Sequence, residues 1–272
     1  MMKRTGILLI SLMLIVGLIG CSGKKEETEE SYEPGVTGTD WGLVIETGVI
    51  RIGMMESPLS HCDDEGNWTG FAPDLIAALC RDINITPNFT RVSGDTFQEE
   101  LDNGRIECVF TGLYESNALA EKADCSRPYL YLPEVALSAS GTPENCASVT
   151  ALKSLKEVGV IAGSHSVTAA ALQGLSAKGY PDADSMVQAI TDGSIPAGIL
   201  DQVTFGSLSE TQRESLSRGA TLGEYGCVIA YAKNSALNAR IRESIKKLTE
   251  NGSLDELAAT YGLEDYLYSN HS

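Results

Sequence analysis

The sequence predicts an α/β fold in two units, preceded by an export signal and a polar tether. Short apolar or β-branched runs alternate with helical stripes, a spacing typical of parallel sheets that carry helices on both faces. This alternation starts over near the middle of the chain, which indicates a second, smaller unit. The hydrophobic content of 43% is sufficient for a real core.

Residues 1–20 have the features of a secretory signal peptide. A basic start is followed by an apolar run over residues 6–19 and by small residues. The run is shorter than the roughly 20 residues that a membrane-spanning helix needs, which disfavours the alternative of a membrane anchor. The letters LIGC, which end at Cys21, resemble the bacterial lipoprotein processing motif. This resemblance implies cleavage before Cys21 and a lipid on its sulfur.

The segment after Cys21 is polar, charged and interrupted by Pro34 and glycines. Such a composition cannot build a core and is typical of a solvated linker. We therefore expect a lipidated flexible tether over residues 21–43, between the membrane and the folded domain.

The formal net charge of −17 argues against a nucleic-acid partner, because phosphate neutralisation needs a basic face. Aromatic residues, at 6%, are also few for a protein that stacks on bases. The acidity weakly favours cationic ligands. No C-x-x-C spacing appears, and the three histidines form no evident ligand set, so we expect no metal and no cofactor.

The seven cysteines admit two interpretations. Setting aside Cys21, an even number remains, which permits disulfides in an exported protein. However, Cys80, Cys108 and Cys227 lie in apolar runs, and free cysteines behave as small buried hydrophobes. We expect mostly free, buried thiols, with Cys62 and Cys146 the most exposed.

In the first unit, a helix is predicted to open at residues 70–74, because Pro73 fits a first helical turn and Asp74 favours its positive end. The other predicted elements are strands over 50–53, 88–92, 106–110 and 131–138 and helices over 96–101 and 118–123.

The second unit repeats the alternation. Its predicted elements are helices over 152–157, 167–177 and 185–191 and strands over 159–161 and 195–200. The chain then returns with a strand over 225–231 and helices over 237–249 and 254–261. Apolar residues recur at helical spacing in these last helices, and we interpret that stripe as core packing.

Five local motifs occur in a characteristic order: GNWTGFAPDL at 66–75, LDNGRIE at 101–107, ADCSRPY at 123–129, VGVIAGS at 158–164 and NGSLD at 251–255. Together they resemble the family 3 extracellular solute-binding proteins, the polar amino acid receptors of ABC importers. The resemblance covers roughly residues 48–265, nearly the whole mature domain.

The resemblance implies a type II periplasmic-binding-protein-like fold, in which two α/β lobes are joined by two hinge strands. It places lobe 1 at 44–135 plus 225–265, lobe 2 at 140–220, hinge strands near 134–138 and 224–231, and a tail at 266–272. The ligand is then expected in the cleft between the lobes, which closes by a hinge motion.

The resemblance also assigns binding residues. Asp201 matches the aspartate that takes the ligand's ammonium group, although a helix N-cap is the alternative interpretation. Gly163 and Ser164 open a helix whose backbone N–H groups suit an anion. His165 follows where the family often has a hydroxyl residue, and a surface or capping histidine is its alternative.

The sequence departs from the family at the arginine that holds the ligand carboxylate. In the segment that starts at Gly112, the arginine position is Leu119 and the hydroxyl-partner position is Tyr114. We therefore expect a polar ligand that lacks a free α-carboxylate, or that presents it only to the helix start at 163–166. Tyr114 offers an aromatic face to a cation, or it fills the vacated arginine pocket.

Acidic residues strengthen the preference for a cation. Glu56, Glu115 and Asp201 together would favour an amine or a modified amino acid, although Glu115 has a solvated surface charge as its alternative.

These features predict an extracytoplasmic solute-binding lipoprotein of an ABC transporter. Its expected partners are a small-molecule ligand, ABC permease subunits and the membrane, reached through the lipid anchor, and we expect a monomer. The first alternative is a sensing or degenerate binding lobe that signals to a separate partner. The second is a small-acid dehydratase, for which His165, Glu115 and Asp201 are the only acid–base candidates. No G-x-S-x-G elbow occurs, and we do not expect an enzyme.

Overall fold

The structure is a computed structural model that describes residues 39–270. The predicted signal peptide, the lipidation site Cys21 and most of the predicted tether lie outside the described residues. A helix occupies Thr39–Thr47, so the tether prediction is wrong for residues 39–43. The reason is packing: Val44 is fully buried in the first core, and Trp41 packs against that core.

Helices and strands alternate along the described chain, as predicted. The helices are α1 (Thr39–Thr47), α2 (Phe71–Asp82), α3 (Phe97–Asp102), α4 (Asn117–Lys122), α5 (Val149–Ser154), α6 (His165–Leu172), α7 (Ala183–Thr191), α8 (Gln202–Ser207), α9 (Glu210–Glu214), α10 (Leu237–Glu250) and α11 (Ser253–Thr260). The strands are β1 (Val49–Met54), β2 (His61–Cys62), β3 (Trp68–Thr69), β4 (Thr86–Arg91), β5 (Cys108–Val109), β6 (Asp124–Cys125), β7 (Leu130–Ala139), β8 (Val158–Ile161), β9 (Ala177–Tyr180), β10 (Gly198–Asp201), β11 (Leu216–Cys227) and β12 (Ala230–Tyr231).

The first lobe is built on a sheet with the order β4-β1-β5-β12-β6. Strand β1 pairs in parallel with β4 and β5, as the alternation predicts. Strand β12 is antiparallel to both β5 and β6, so the prediction of a purely parallel sheet is wrong here. The difference arises because β12 enters from the other lobe, directly after β11, and not through a crossover helix.

The second lobe has a sheet with the order β11-β7-β10-β8-β9. Strand β8 is parallel to β9 and β10, whereas β7 is antiparallel to β10 and β11. The sequence prediction missed β9, part of which it assigned to a helix over 167–177. Gly174 adopts a left-handed backbone with φ of 69°, which ends the helix and releases the chain into β9.

Two long strands connect the lobes. Strands β7 and β11 pair from Leu130 and Cys227 at one end to Ala139 and Leu216 at the other. Leu130 and Cys227 pack in the core of the first lobe, whereas Leu216 packs in the core of the second. The predicted fold class, two α/β lobes joined by two strands, is therefore confirmed, while the predicted residue limits of each lobe remain a prediction.

The six described cysteines are free thiols. The prediction that Cys146 is exposed is wrong, because its side chain is only 1% exposed and lies in a core cluster of the second lobe. Cys62 is partly exposed, as predicted, and so is Cys125, whereas the other described cysteines are buried. Separately, the part of the chain from 39 to 270 contains no helix with both the length and the apolar character to cross a membrane.

Candidate functional site

A cleft between the two lobes contains two adjoining cavities. The larger has a volume of about 940 Å³ and the smaller about 770 Å³. Both are lined by Gly94, Gly112, Tyr114, Gly163, Ser164 and His165. The two cavities therefore adjoin at these shared residues.

The structure brings all of the predicted site residues to this cleft. Besides the shared residues, Glu115 lines the larger cavity, and Glu56 and Asp201 line the smaller one. Their role in ligand binding remains a prediction, but their spatial proximity does not depend on the family resemblance.

Tyr114 is presented to the cleft by a short antiparallel contact with β11. The Glu115 N–H donates to the carbonyl of Gly226 at 2.9 Å, and the Val228 N–H donates to the carbonyl of Leu113 at 3.1 Å. Burial raises the pKa of the Tyr114 phenol well above its ordinary value, and the nearby Cys227 adds to the shift. Tyr114 is therefore a neutral hydroxyl at physiological pH.

His165 lies between two tyrosine rings, both of which are tilted relative to its own ring. Its ring centroid lies 4.0 Å from that of Tyr114 and 4.2 Å from that of Tyr225, with interplanar angles of 36° and 58°. Its Nδ1 lies 3.2 Å from the Oε1 of Glu134, and its side chain is only 10% exposed. Of the alternative interpretation, a surface or capping histidine, the low exposure argues against the surface position. Sequence reasoning missed Tyr225, which lines the larger cavity.

Glu134, on β7, is the most buried acidic group of the site and was missed as a site residue. It is 1% exposed, and its Oε2 accepts a hydrogen bond of 2.7 Å from the Ser166 hydroxyl. It pairs in register with Asp201 on β10, so the two carboxylates are cross-strand neighbours. A signal was available: Glu134 is an isolated acid within the apolar run LYLPEVAL.

Asp201 caps helix α8, as the alternative interpretation predicted. Its Oδ1 accepts from the N–H groups of Val203 and Thr204 at 3.0 and 2.9 Å, and its Oδ2 accepts from the Thr204 hydroxyl at 2.5 Å. Burial raises the pKa of the Asp201 carboxyl, and Glu134 acts in the same direction, whereas the hydrogen bonds from Thr204 and Val203 oppose the shift. The carboxylate is thus held rigidly beside the smaller cavity.

Helix α6 begins after Ser164 without a side-chain cap, so backbone N–H groups of its first turn lack a hydrogen bond to the cap residue's side chain. Ser164 is the N-cap of α6, but its hydroxyl donates back to the carbonyl of Ile161 at 2.8 Å. The first N–H groups of α6 therefore receive no cap from the Ser164 side chain, and the helix start at Gly163, Ser164 and His165 lines both cavities.

The other predicted acids are at the rim. The carboxylate of Glu56 is half exposed, forms an ion pair with Arg91 and accepts a hydrogen bond from the N–H of Cys62. Glu115 is exposed, in agreement with its alternative interpretation as a surface charge. Neither acid provides a buried, unshared negative charge.

Leu119, at the position of the family's arginine, is an apolar core residue. Its side chain is 7% exposed and packs in an apolar cluster with Phe97 and Val109. The basic side chains that line the two cavities are Arg91 and Lys122, which are both exposed. Across residues 39–270, no cluster of three or more His, Cys, Asp or Glu side chains is arranged to hold a metal ion.

Two relatives and one solved structure illustrate what the chain is similar to. A probable histidine-binding protein of Neisseria gonorrhoeae is 21% identical over 214 residues, which cover 75% of this chain and 79% of the relative. The membrane-bound lytic murein transglycosylase F of Pseudomonas putida is 26% identical over 239 residues. That match covers 80% of this chain but 47% of the relative, so the chain spans about half of it.

Among solved structures, a substrate-binding protein of an ABC uptake transporter from Streptococcus pneumoniae, with bound histidine, superposes with a TM-score of 0.71. It is 18% identical, and the match covers 85% of this chain and 99% of that one, which supports the fold alone. Residues 50–264 match the family described as bacterial extracellular solute-binding proteins, family 3. Since this match extends over most of the sequence, the chain belongs to the bacterial extracellular solute-binding proteins of family 3.

Proposed function

We propose that this protein is an extracytoplasmic lipoprotein of an ABC importer and that it captures a small ligand with a cationic nitrogen group. The observation that supports this proposal is the pair of buried carboxylates, Glu134 and Asp201, next to Tyr114 and without a buried lysine or arginine among the lining residues of either cavity. A buried carboxylate needs a positive partner or hydrogen-bond donors, and a cationic ligand supplies both.

The ligand is expected to need no carboxylate of its own. A bidentate arginine is the strong way to hold a carboxylate, and Leu119 provides no donor at that position. What remains for a carboxylate is the start of α6 at Ser164. Backbone N–H groups there can donate hydrogen bonds to an anion, but they carry only partial positive charges, whereas a guanidinium carries a full one.

The relatives support a nitrogen-rich ligand. The relative from Neisseria is named for histidine, and the structure from Streptococcus contains it. Histidine carries an ammonium and an imidazole, which are the groups that a carboxylate and tyrosine rings recognise.

Calorimetry with matched ligand pairs tests the proposal. Histamine and agmatine keep the nitrogen groups of histidine and arginine but lack the carboxylate. We expect each amine to bind at least as tightly as its parent amino acid. Tight binding of the amino acids alone, unchanged in Ser164→Ala and Asp201→Asn, would refute the site.

A second aspartate supplies the matched control. Asp182 also caps a helix, α7, where its carboxylate accepts from the N–H of Ser185 at 2.7 Å, but it lines neither cavity. We expect Asp201→Asn to weaken amine binding by roughly tenfold, which corresponds to the loss of one charge-assisted hydrogen bond, and Asp182→Asn to leave it unchanged.

The membrane attachment is tested separately. Because Cys21 is the proposed lipid acceptor, Cys21→Ser is expected to move the protein from the membrane fraction to the soluble fraction and to abolish labelling with palmitate. Uptake of a labelled amine that depends on a neighbouring permease and ATPase distinguishes transport from sensing.

An enzymatic role is the second possibility to test, because transglycosylase F is among the relatives. The chain spans about half of that protein, so the whole relative's activity does not transfer to it. Product formation from a candidate substrate, lost in Glu134→Gln, would favour this role over transport.

A further inference from the structure

The imidazole of His165 fills a space that has the parts of a cation-binding site. Tyr114 and Tyr225 approach its ring, with centroid distances of 4.0 and 4.2 Å. The Oε1 of Glu134 lies 3.2 Å from the Nδ1 of His165. We call Tyr114, Tyr225 and Glu134 the tyrosine–glutamate cage. Aromatic rings and a buried carboxylate are the groups that bind a planar organic cation.

Two buried acids concentrate negative charge beside the cage. Glu134 is 1% exposed and Asp201 is 6% exposed, and the two pair across neighbouring strands. In the part of the chain that the structure describes, His165 is the side chain that forms an ion pair with Glu134 when protonated, and no lysine or arginine lies within ion-pair distance of either acid. Apart from His165, the described residues thus supply no positive side chain to the cage.

The position of His165 allows its side chain to leave. It is the first residue of α6, so a change of side-chain rotamer does not disturb the helix interior. The His165 side chain also lines both cavities, so either cavity could receive the ring after a change of rotamer. Ser166, the next residue, stays bonded to Glu134 and keeps the carboxylate in place.

We propose that the tyrosine–glutamate cage binds a planar organic cation of the imidazolium or guanidinium class, and that His165 is an internal occupant which the ligand displaces. This inference rests on the proposed function and names the part of the ligand that enters the cage.

Chemical complementation tests the cage directly. The full-length chain, purified in detergent, carries His165→Gly, and binding of imidazole and methylguanidinium is measured by calorimetry. We expect both probes to bind this variant at least about tenfold more tightly than they bind the wild type, as cation–π and charge-assisted contacts of a desolvated site predict. Pyrazole, which has the same shape as imidazole but stays neutral, is expected to gain nothing.

Two further variants locate the effect. Adding Glu134→Gln to His165→Gly is expected to abolish the gain. Val167→Gly places a glycine in the same helix at an exposed position, and it should bind the probes no better than the wild type. If His165→Gly does not fold, as judged by circular dichroism, His165→Ala takes its place in the same measurements.

Three results would overturn the inference: no gain in affinity for either cation, an equal gain for pyrazole, or a gain that persists in the Glu134→Gln background. The proposed function is judged independently, by binding of histamine and agmatine to the wild type. If histamine or agmatine binds the wild type but the probes do not bind His165→Gly more tightly, the cage inference is wrong and the proposed function stands. If the probes bind His165→Gly more tightly but neither amine binds the wild type, the proposed function is wrong and the cage inference stands.

Discussion

Two carboxylates of the second lobe organise the cleft at the scale of single residues, and they do so in different ways. Asp201 is anchored to the start of α8 through both of its oxygens. Glu134 reaches instead to α6, where it accepts from Ser166 and contacts His165. Asp201 is therefore a fixed charge at the cavity wall, whereas the partner of Glu134 can be exchanged.

The raised pKa of Asp201 makes a prediction about stability and pH. The folded protein holds the proton of this carboxyl more tightly than the unfolded chain does. The contribution of Asp201 to stability is thus greatest in acid and is lost as the pH rises from the unfolded pKa, about 3.9, through the raised folded pKa.

Asp201→Asn removes this titration and keeps the helix cap, because asparagine caps helices as well as aspartate. We expect the variant to be at least as stable as the wild type at pH 7 and to lose that advantage at pH 4. Asp201→Ala, which removes the cap, is expected to cost about 1 kcal/mol. Urea unfolding at pH 4, 5, 6 and 7 measures both variants. A stability difference that is constant across these pH values would contradict the prediction.

The thiols give a second prediction at the residue scale. Cys62 is partly exposed, whereas burial raises the pKa of Cys80 to about 12. Since the thiolate is the reactive form, iodoacetamide should label Cys62 in the native protein and Cys80 only after unfolding. Peptide mass spectrometry reads out both sites, and native labelling of Cys80 at the rate of Cys62 would contradict its burial.

At the scale of elements, β11 depends on an irregularity near its start. Its pairing with β7 shifts register between Arg218 and Thr221. Within this bulge, the Ala220 N–H donates to the carbonyl of Cys146 at 2.8 Å. A Cβ on Gly219 would lie 1.9 Å from that same carbonyl oxygen. The bulge therefore requires glycine and explains why Cys146 is enclosed.

Gly219→Ala is expected to destabilise the protein by about 3 kcal/mol, because the backbone of Cys146 cannot yield as a flexible side chain would. Gly206→Ala is the matched control, since Gly206 lies in α8 and no atom lies within 4 Å of its added Cβ. There we expect no loss, or a gain of about 0.5–1 kcal/mol from helix propensity. Equal urea midpoints for the two variants would show that the bulge tolerates a side chain.

The elements also show what periodicity can predict. Helix α10 runs over Leu237–Glu250, one residue beyond the predicted 237–249, because its apolar stripe repeats at helical spacing. Strand β9 was missed because three of its four residues are exposed, so neither alternation nor an apolar run marks it. Helix α1 was missed because its anchor, Val44, is buried by residues distant in sequence.

Some residues of the site could also be predicted from local sequence, whereas others depend on contacts between distant segments. Asp201, Ser164 and His165 lie in segments whose local sequence resembles the family, so they could be identified without a structure. Glu134 and Tyr225 lie on the connecting strands, and only the register of β7 against β10 and β11 decides which side chains reach the cleft. That register is a non-local property, which a single sequence does not specify.

At the scale of the whole molecule, side chains from the two lobes contact each other across the cleft. Tyr114 of the first lobe contacts His165 of the second, and Val203 of α8 packs against the core of the first. The hinge strands are continuous in both lobes, so closure depends on such contacts and not on the sheets. The net charge of −17 adds long-range attraction for a cation before it reaches the cleft.

His165→Ala should therefore favour an open molecule. Loss of the imidazole removes the contact with Tyr114, so we expect a larger radius of gyration by small-angle scattering than in the wild type. For the folded part of the wild type we expect about 17 Å. Val167→Ala, an exposed change in the same helix, should leave the radius unchanged. Addition of imidazole should return the radius of gyration of the His165→Ala variant to that of the wild type, because the probe restores the ring contacts with Tyr114 and Tyr225. An unchanged radius in His165→Ala would mean that closure is held elsewhere, by the packing of α8 against the first lobe.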